Sequence, residues 1–112
     1  MSTEGGNLIP SVERYLSTPI ADRPGIIGEV FTPTAVVHDE GQTYVGIDAI
    51  HTWASDLAEQ FTFDARIEET TRDGNLISAV VTYTGDFPGS PARVTSHITI
   101  DGDLISEIDN LS

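Results

Sequence analysis

Asp39 is an ionisable residue whose setting could adapt it to acid–base chemistry. It follows a β-branched run, and alternation along a strand puts it on the same face as Ala35 and Val37. A carboxylate that continues an apolar row is unusual, because strand interiors are depleted in Asp. Burial there would perturb the pKa of the carboxyl group. The alternative is an aspartate that caps the following turn through its side-chain oxygen.

His97 and Asp109 form a second candidate pair, on the last two predicted strands. If residues 101–103 close a three-residue loop, Asp109 becomes the diagonal neighbour of His97. An aspartate beside a histidine orients the imidazole or acts as the base itself. The apolar residues Ile98 and Ile100 alternate with His97, which favours the other interpretation, an exposed pair of small energetic value.

The elements that must position these groups follow one another in an α+β order. Ser11 is the predicted N-cap of a first helix that Pro19 ends. Apolar spacing predicts two more helices, and alternation with turn signals predicts five strands. The predicted helices are 11–18, 22–31 and 48–60, and the predicted strands are 34–40, 61–71, 76–86, 92–100 and 104–111.

Length and charge limit the classes of function. A chain of 112 residues has the length of a single domain, which is predicted at 11–112. Residues 1–10 are predicted to form a flexible terminal tail. The net charge of −13, with five Arg and no Lys, argues against nucleic acid as a partner. The same charge fits high solubility, adaptation to salt or a basic partner. No apolar run approaches the ~20 residues of a membrane span and no leader is recognised, so we expect a cytoplasmic protein.

The sequence gives little support for a metal or a cofactor. There is no cysteine, and the spacing of His38, Glu40, His51 and His97 matches no metal-binding signature. Neither a nucleotide-binding glycine motif nor a nucleophile elbow occurs. The segment 86–91, with two Pro and a Gly, is interpreted as a structural bend. We therefore expect chemistry without a cofactor.

The segment Gly46-Ile47-Asp48-Ala49-Ile50, which opens the third helix after an apolar strand and a polar loop, carries a family resemblance. It resembles the polyketide cyclase-like (SnoaL-like) and ketosteroid isomerase-like branch of the nuclear transport factor 2-like superfamily. The order of elements from Val12 to Leu111 agrees with it. The resemblance implies an α+β cone, with three N-terminal helices packed on a strongly curved, mostly antiparallel sheet.

The resemblance also implies roles for particular residues. Tyr15 matches the tyrosine with which ketosteroid isomerases donate a hydrogen bond to a developing oxyanion, and Asp39 matches their base. Asp109 resembles the last-strand aspartate of the polyketide cyclases. The second oxyanion donor of the isomerases, an aspartate, would fall near Ser96-His97, where none stands. Steroid isomerisation is therefore not predicted, and Tyr15 as an amphipathic residue at the edge of the core remains the alternative.

Together these features predict an enzyme or binder for a hydrophobic small molecule, using acid–base chemistry on a carbonyl compound. Large side chains are the predicted lining of its pocket, although they also suit a plain core. We expect a homodimer through the outer sheet face. The alternative is a non-catalytic ligand-binding or dimerisation module. The predicted lining residues are Tyr44, Trp53, Phe63, Tyr83 and Phe87.

Overall fold

The structure is a computed structural model that describes residues 9–60 and 62–111, without the side chain of Phe63. The helices are α1 (Pro10–Ser17), a 3-10 helix (Ile20–Ile26), the single turn α2 (Ile27–Val30) and α3 (Ile47–Gln60). The strands are β1 (Phe31–Asp39), β2 (Gln42–Val45), β3 (Phe63–Asp73), β4 (Leu76–Gly85), β5 (Ala92–Asp101) and β6 (Leu104–Leu111). None of the helices in these ranges has the length and apolarity that a bilayer crossing requires.

All six strands form one curved sheet in the order β2-β1-β6-β5-β4-β3. The neighbours β1 and β6 run parallel, and the other neighbouring pairs run antiparallel. The predicted α+β cone is confirmed. The helices do not all precede the sheet, however, since β1 and β2 come before α3 in the chain.

The core lies between the helices and one face of the sheet. Along β4 the residues Ile77, Ala79 and Val81 are fully buried, while the residues between them are more exposed. This period of two is the pattern of a strand with one covered face. In the centre of the sheet, Ile98 of β5 lies directly opposite Ile108 of β6, and both are buried.

The start of α1 differs from the prediction. Its N-cap is Ile9 and Pro10 is its first residue, a position where the missing N–H of proline costs nothing. Ser11 is inside the helix, and its hydroxyl donates to the carbonyl of Asp103 at 2.6 Å. The predicted N-cap is therefore wrong, and Ser11 instead ties α1 to the β5–β6 turn. Residues 1–8 of the predicted tail lie outside the described residues.

The second predicted helix, 22–31, is mostly a 3-10 helix that ends in the short turn α2. Pro24 lies inside it and cannot donate a backbone hydrogen bond. The strand β1 begins earlier than predicted and ends at a two-residue turn, Glu40-Gly41, in which both φ angles are positive. This turn suits a hairpin, and it starts β2, a four-residue edge strand that the sequence analysis did not predict.

The last hairpin also has a different register. Asp101 pairs with Leu104 across a two-residue turn, and a bulge near Thr99 restores the alternation. As a result His97 lies directly opposite Asp109, whereas the three-residue loop predicted a diagonal pair. The start of the second predicted strand, at Phe61, lies outside the described residues.

The central position of Ile108 gives a test of this core. Ile108→Ala should lower the free energy of unfolding by about 2–5 kcal/mol, because the side chain is buried and its neighbours cannot fully collapse into the space. Val45→Ala, at a 64% exposed position on the edge strand, should change it by less than about 0.5 kcal/mol. Urea unfolding of both variants measures the difference, and equal losses would contradict this description of the core.

Candidate functional site

A cavity of about 330 Å³ lies between the helices and the concave side of the sheet. Its volume falls at the lower end of the range of small-molecule sites. Its lining side chains with polar groups are Tyr15, Arg23, Asp39, Glu40, Trp53, Tyr83 and Asn110. Apolar side chains, among them Ile20, Leu57, Val94 and Pro88, complete the wall. The cavity can therefore bind an apolar body while a few polar groups fix its orientation.

Asp39 lies at this cavity and is held by two neutral donors. The Trp53 indole Nε1 donates to Asp39 Oδ2 at 3.0 Å, and the Asn110 amide donates to Oδ1 at 3.4 Å. The hydroxyl of Ser96 donates to the Asn110 carbonyl oxygen at 2.6 Å, which fixes the direction of that amide. A carboxylate has about four acceptor sites, so two remain for a ligand.

Tyr15, on α1, is only 4% exposed and lines the same cavity. Its ring packs edge-on against Phe31 at 5.6 Å between centroids. Burial raises the pKa of Tyr15 to about 12, with the nearby Arg23 acting in the opposite direction and Asp39 contributing a smaller upward effect. The phenol is therefore a neutral hydrogen-bond donor throughout the physiological pH range.

Arg23, on the 3-10 helix, is a buried cation in the cavity wall, 5% exposed. Its Nε and Nη2 donate to the carbonyls of Thr18 and Leu16 at 3.2 and 3.3 Å. Its guanidinium lies over the Tyr15 ring, 4.4 Å from the centroid. Burial alone would lower the pKa of Arg23, but Tyr15 and Tyr83 act the other way and the net shift is upward.

Three of the predicted lining residues reach the cavity, namely Trp53, Tyr83 and Phe87. Tyr44 is not among the described lining residues. Its ring packs behind the Trp53 ring at 5.9 Å, so it supports the wall from outside. The side chain of Phe63 lies outside the described residues.

His97 and Asp109 are together but away from the cavity. Buried Ser96 and Ile98 flank half-buried His97, so the His97–Asp109 pair lies on the outer face of the sheet. His38 shares this face, and its Nε2 is 2.8 Å from Glu107. The structure thus brings Asp39 and Tyr15 to one cavity and leaves the second pair on the other side of the sheet.

No group of three His, Cys, Asp or Glu side chains in the described part of the chain is arranged to hold a metal ion. His38 belongs to the outer face and His51 is exposed on α3. Glu40 lies at the turn beside the cavity and belongs to no such metal-binding group among the described residues.

The sequence analysis missed three residues of the site: Arg23, Ser96 and Asn110. Alternation along β6 does put Asn110 on the face of the apolar Ile108, which was a usable signal. Ser96 shares the buried face of Ile98 in the same way. The burial of Arg23 had no comparable signal, because it depends on how a short 3-10 helix turns.

The raised pKa of Tyr15 predicts a loss of stability at high pH. The unfolded phenol ionises near its ordinary pKa of 10.0 and the folded one near about 12, so this contribution is fully present below pH 10 and is lost between those values. The loss should reach about 2 kcal/mol at the upper end.

Urea unfolding across this pH range measures the effect. Tyr15→Phe should make the unfolding free energy less sensitive to pH there, whereas Tyr44→Phe should retain most of the sensitivity. An unchanged pH dependence in Tyr15→Phe would contradict the burial of an ionisable phenol at this position.

Comparisons with known proteins agree with the architecture. The sequence pattern of the SnoaL-like domain matches residues 12–108. A candidate polyketide cyclase from Sinorhizobium meliloti is 29% identical with a TM-score of 0.88, the match covering 95% of this chain and 97% of that one. A candidate SnoaL-like polyketide cyclase from Jannaschia sp. CCS1 is 20% identical with a TM-score of 0.79, covering 99% and 88%.

A protein from Catenulispora acidiphila with a ketosteroid isomerase-like fold, solved with trimethylamine, is 16% identical with a TM-score of 0.70, covering 88% of this chain and 78% of that one. No curated protein matches the chain significantly. The fold is one that supports small-molecule binding modules of the cyclase or isomerase-like kind. The match across residues 12–108 shows that the chain belongs to the SnoaL-like domain family of the nuclear transport factor 2-like superfamily.

Proposed function

We propose that the protein is a cofactor-free acid–base enzyme of the cyclase or isomerase-like class that acts on a hydrophobic carbonyl compound. One observation carries the proposal: the Asp39 carboxylate lines the cavity, held by the Trp53 and Asn110 side chains, and shares that cavity with the buried phenol of Tyr15. A carboxylate and a neutral donor at one apolar cavity are the groups that enolisation needs.

In the proposed reaction Asp39 removes a proton from the carbon next to the substrate carbonyl. The electron pair of that C–H bond moves toward the carbonyl oxygen, where negative charge develops. Tyr15 donates a hydrogen bond to this oxygen. The enolate then either takes the proton back from Asp39 at another carbon or attacks a second carbonyl carbon and takes the proton on the new alkoxide. The proton is conserved in both outcomes.

Trp53, Asn110 and Ser96 are positioning residues in this proposal. Each oxygen of Asp39 accepts one hydrogen bond from a rigid neighbour, so the carboxylate cannot rotate freely. A pre-oriented base avoids part of the entropy cost of reaching a productive geometry. The apolar wall formed by side chains such as Ile20 and Leu57 favours a mostly apolar substrate.

The competing function is a non-catalytic binding module. In that case Asp39 would serve only to anchor the Trp53 indole and thereby α3. A proton-exchange experiment separates the two, because anchoring needs a hydrogen-bond acceptor while catalysis needs a base.

Asp39→Asn should lower the rate of proton–deuterium exchange at the methyl group of 2-acetylnaphthalene by about a hundredfold or more. The reason is that an amide oxygen still accepts hydrogen bonds but cannot act as a base. NMR in deuterated water follows the exchange, and circular dichroism checks that the variant is folded.

Asp109→Asn is the matched control, since it makes the same change on the outer face. It should leave exchange unchanged. Equal exchange in wild type and Asp39→Asn would reject Asp39 as the base. If Asp109→Asn loses exchange instead, the role of the base passes to Asp109 with His97. If neither the wild type nor a variant exchanges faster than the probe in buffer alone, the binding module is favoured.

We also propose that the protein forms a homodimer through the outer face of the sheet. Half-buried residues such as Val80 and Thr95, which are neighbours across β4 and β5, give this face a mixed character suited to an interface. Val80→Arg should shift the mass measured by light scattering at micromolar protein from dimer to monomer. His51→Arg, at an exposed position on α3, should not. A monomeric wild-type protein would contradict this proposal.

A further inference from the structure

Arg23 is a buried cation whose partners do not neutralise it. The chain has 18 acidic residues, yet no carboxylate oxygen of the described residues lies within 4.0 Å of its guanidinium. Arg14, in contrast, pairs with Glu29 on the surface. Removing a charge from water is costly unless an opposite charge compensates it. Arg23 therefore retains a charge that the described residues do not balance.

The partners that Arg23 does have satisfy donors without supplying a full negative charge. The carbonyls of Leu16 and Thr18 accept two of its hydrogen bonds, and the Tyr15 ring lies below its plane. A guanidinium has five N–H donors in a planar fork that fits both oxygens of a carboxylate. The hydroxyls of Tyr83 and Tyr15 also accept hydrogen bonds from the guanidinium. These acceptors fix the orientation of the fork, and none of them carries a full negative charge.

The cavity is electrically polarised. A smaller hollow of about 10 Å³ at the Arg23 side is lined by Tyr15, Ile20, Arg23, Trp53, Ala54 and Leu57, with no acidic residue among them. Arg23 lines both the hollow and the larger part, whereas Asp39 and Glu40 line only the larger part. The hollow is thus a part of the wall that has a cation and no carboxylate.

We propose that Arg23 binds a carboxylate of the substrate, so that the substrate is an apolar carbonyl compound with an anionic end. This inference rests on the proposed function, because it makes the cavity the substrate site. Repulsion by Asp39 and attraction by Arg23 would align the ligand in one direction, with its carboxylate away from the base. The neutral carbonyl is then the part left to face Asp39.

The net charge of −13 repels an anionic ligand, but this repulsion comes from charges spread over the protein and acts over long distances. At physiological ionic strength charges are screened beyond roughly 8 Å. A charge-assisted hydrogen bond in a buried site acts at contact and is screened much less. The local guanidinium therefore decides the preference inside the cavity, while the surface charge slows the entry of anions.

The test uses 1-naphthylacetate and its neutral analogue 1-naphthylacetamide, with affinities measured by isothermal titration calorimetry. Wild type should bind the carboxylate about tenfold or more tightly than the amide. Arg23→Gln, which keeps donors for the two carbonyls, should remove this preference and change the affinity for the amide by less than about threefold. Arg93→Gln, an equal loss of charge at an exposed position, should retain the preference.

A second measurement on the wild-type protein does not depend on the folding of a variant. The Nε–Hε NMR signal of Arg23, one of five arginines, should shift on addition of the carboxylate and not of the amide. The inference would be overturned if wild type binds the two probes with equal affinity or binds neither of them. It would also be overturned if Arg23→Gln still prefers the carboxylate. If Arg23→Gln does not fold, an unshifted Arg23 signal would overturn it.

The outcome is separable from that of the proposed function. Asp39→Asn should keep the carboxylate preference or increase it, since it removes a negative charge from the cavity. A carboxylate preference without Asp39-dependent exchange would reject the acid–base function and support the anion site. Asp39-dependent exchange without such a preference would reject the anion site alone.

Discussion

The hydrogen bond between the Trp53 indole and Asp39 joins the packing of this fold to its candidate site. Trp53 is 7% exposed on α3, and its ring also packs on Tyr44 of the edge strand β2. One side chain therefore holds the helix on the sheet, covers the cavity and orients the carboxylate. A buried polar group without a partner is destabilising, so the indole and the carboxylate each stabilise the position of the other. The site cannot be loosened without loosening the contact between α3 and β1.

The parallel pairing of β1 with β6 determines which residues share the cavity with Asp39. Because His38 lies beside Asp109, the next residues along the two strands, Asp39 and Asn110, both project to the concave side. A shift of one residue would exchange Asn110 for Asp109 and put two carboxylates side by side. Like charges at that distance raise the cost of ionising either one. The register thus gives Asp39 a neutral amide as its neighbour and leaves Asp109 on the outer face.

Local pattern predicted much of this arrangement, and non-local geometry determined the rest. Alternation along β1 was enough to put Asp39 on the buried row, and turn signals bounded β4 and β6 closely. The pairing of β1 with β6 joins residues about 70 positions apart, and no local pattern encodes it. The bulge that aligns His97 with Asp109 depends on the turn at Gly102 and on the curvature of the sheet. Arg23 was predicted to lie in a short helix, but the helical prediction did not show that the path of the 3-10 helix would bury its side chain.

In the proposed function, the separation of charge within the cavity leaves half-buried Asp39 and buried Arg23 available to a ligand. If Arg23 were paired directly with Asp39, the two would neutralise each other, and the carboxylate would be a weaker base. Instead, neutral donors hold Asp39, while carbonyls and a phenol ring hold Arg23. Each charge is oriented by groups that do not cancel it, at a cost in stability that a purely structural core would not need. This arrangement supports the proposal that the cavity binds a polar ligand in one direction and is more than a gap in the packing.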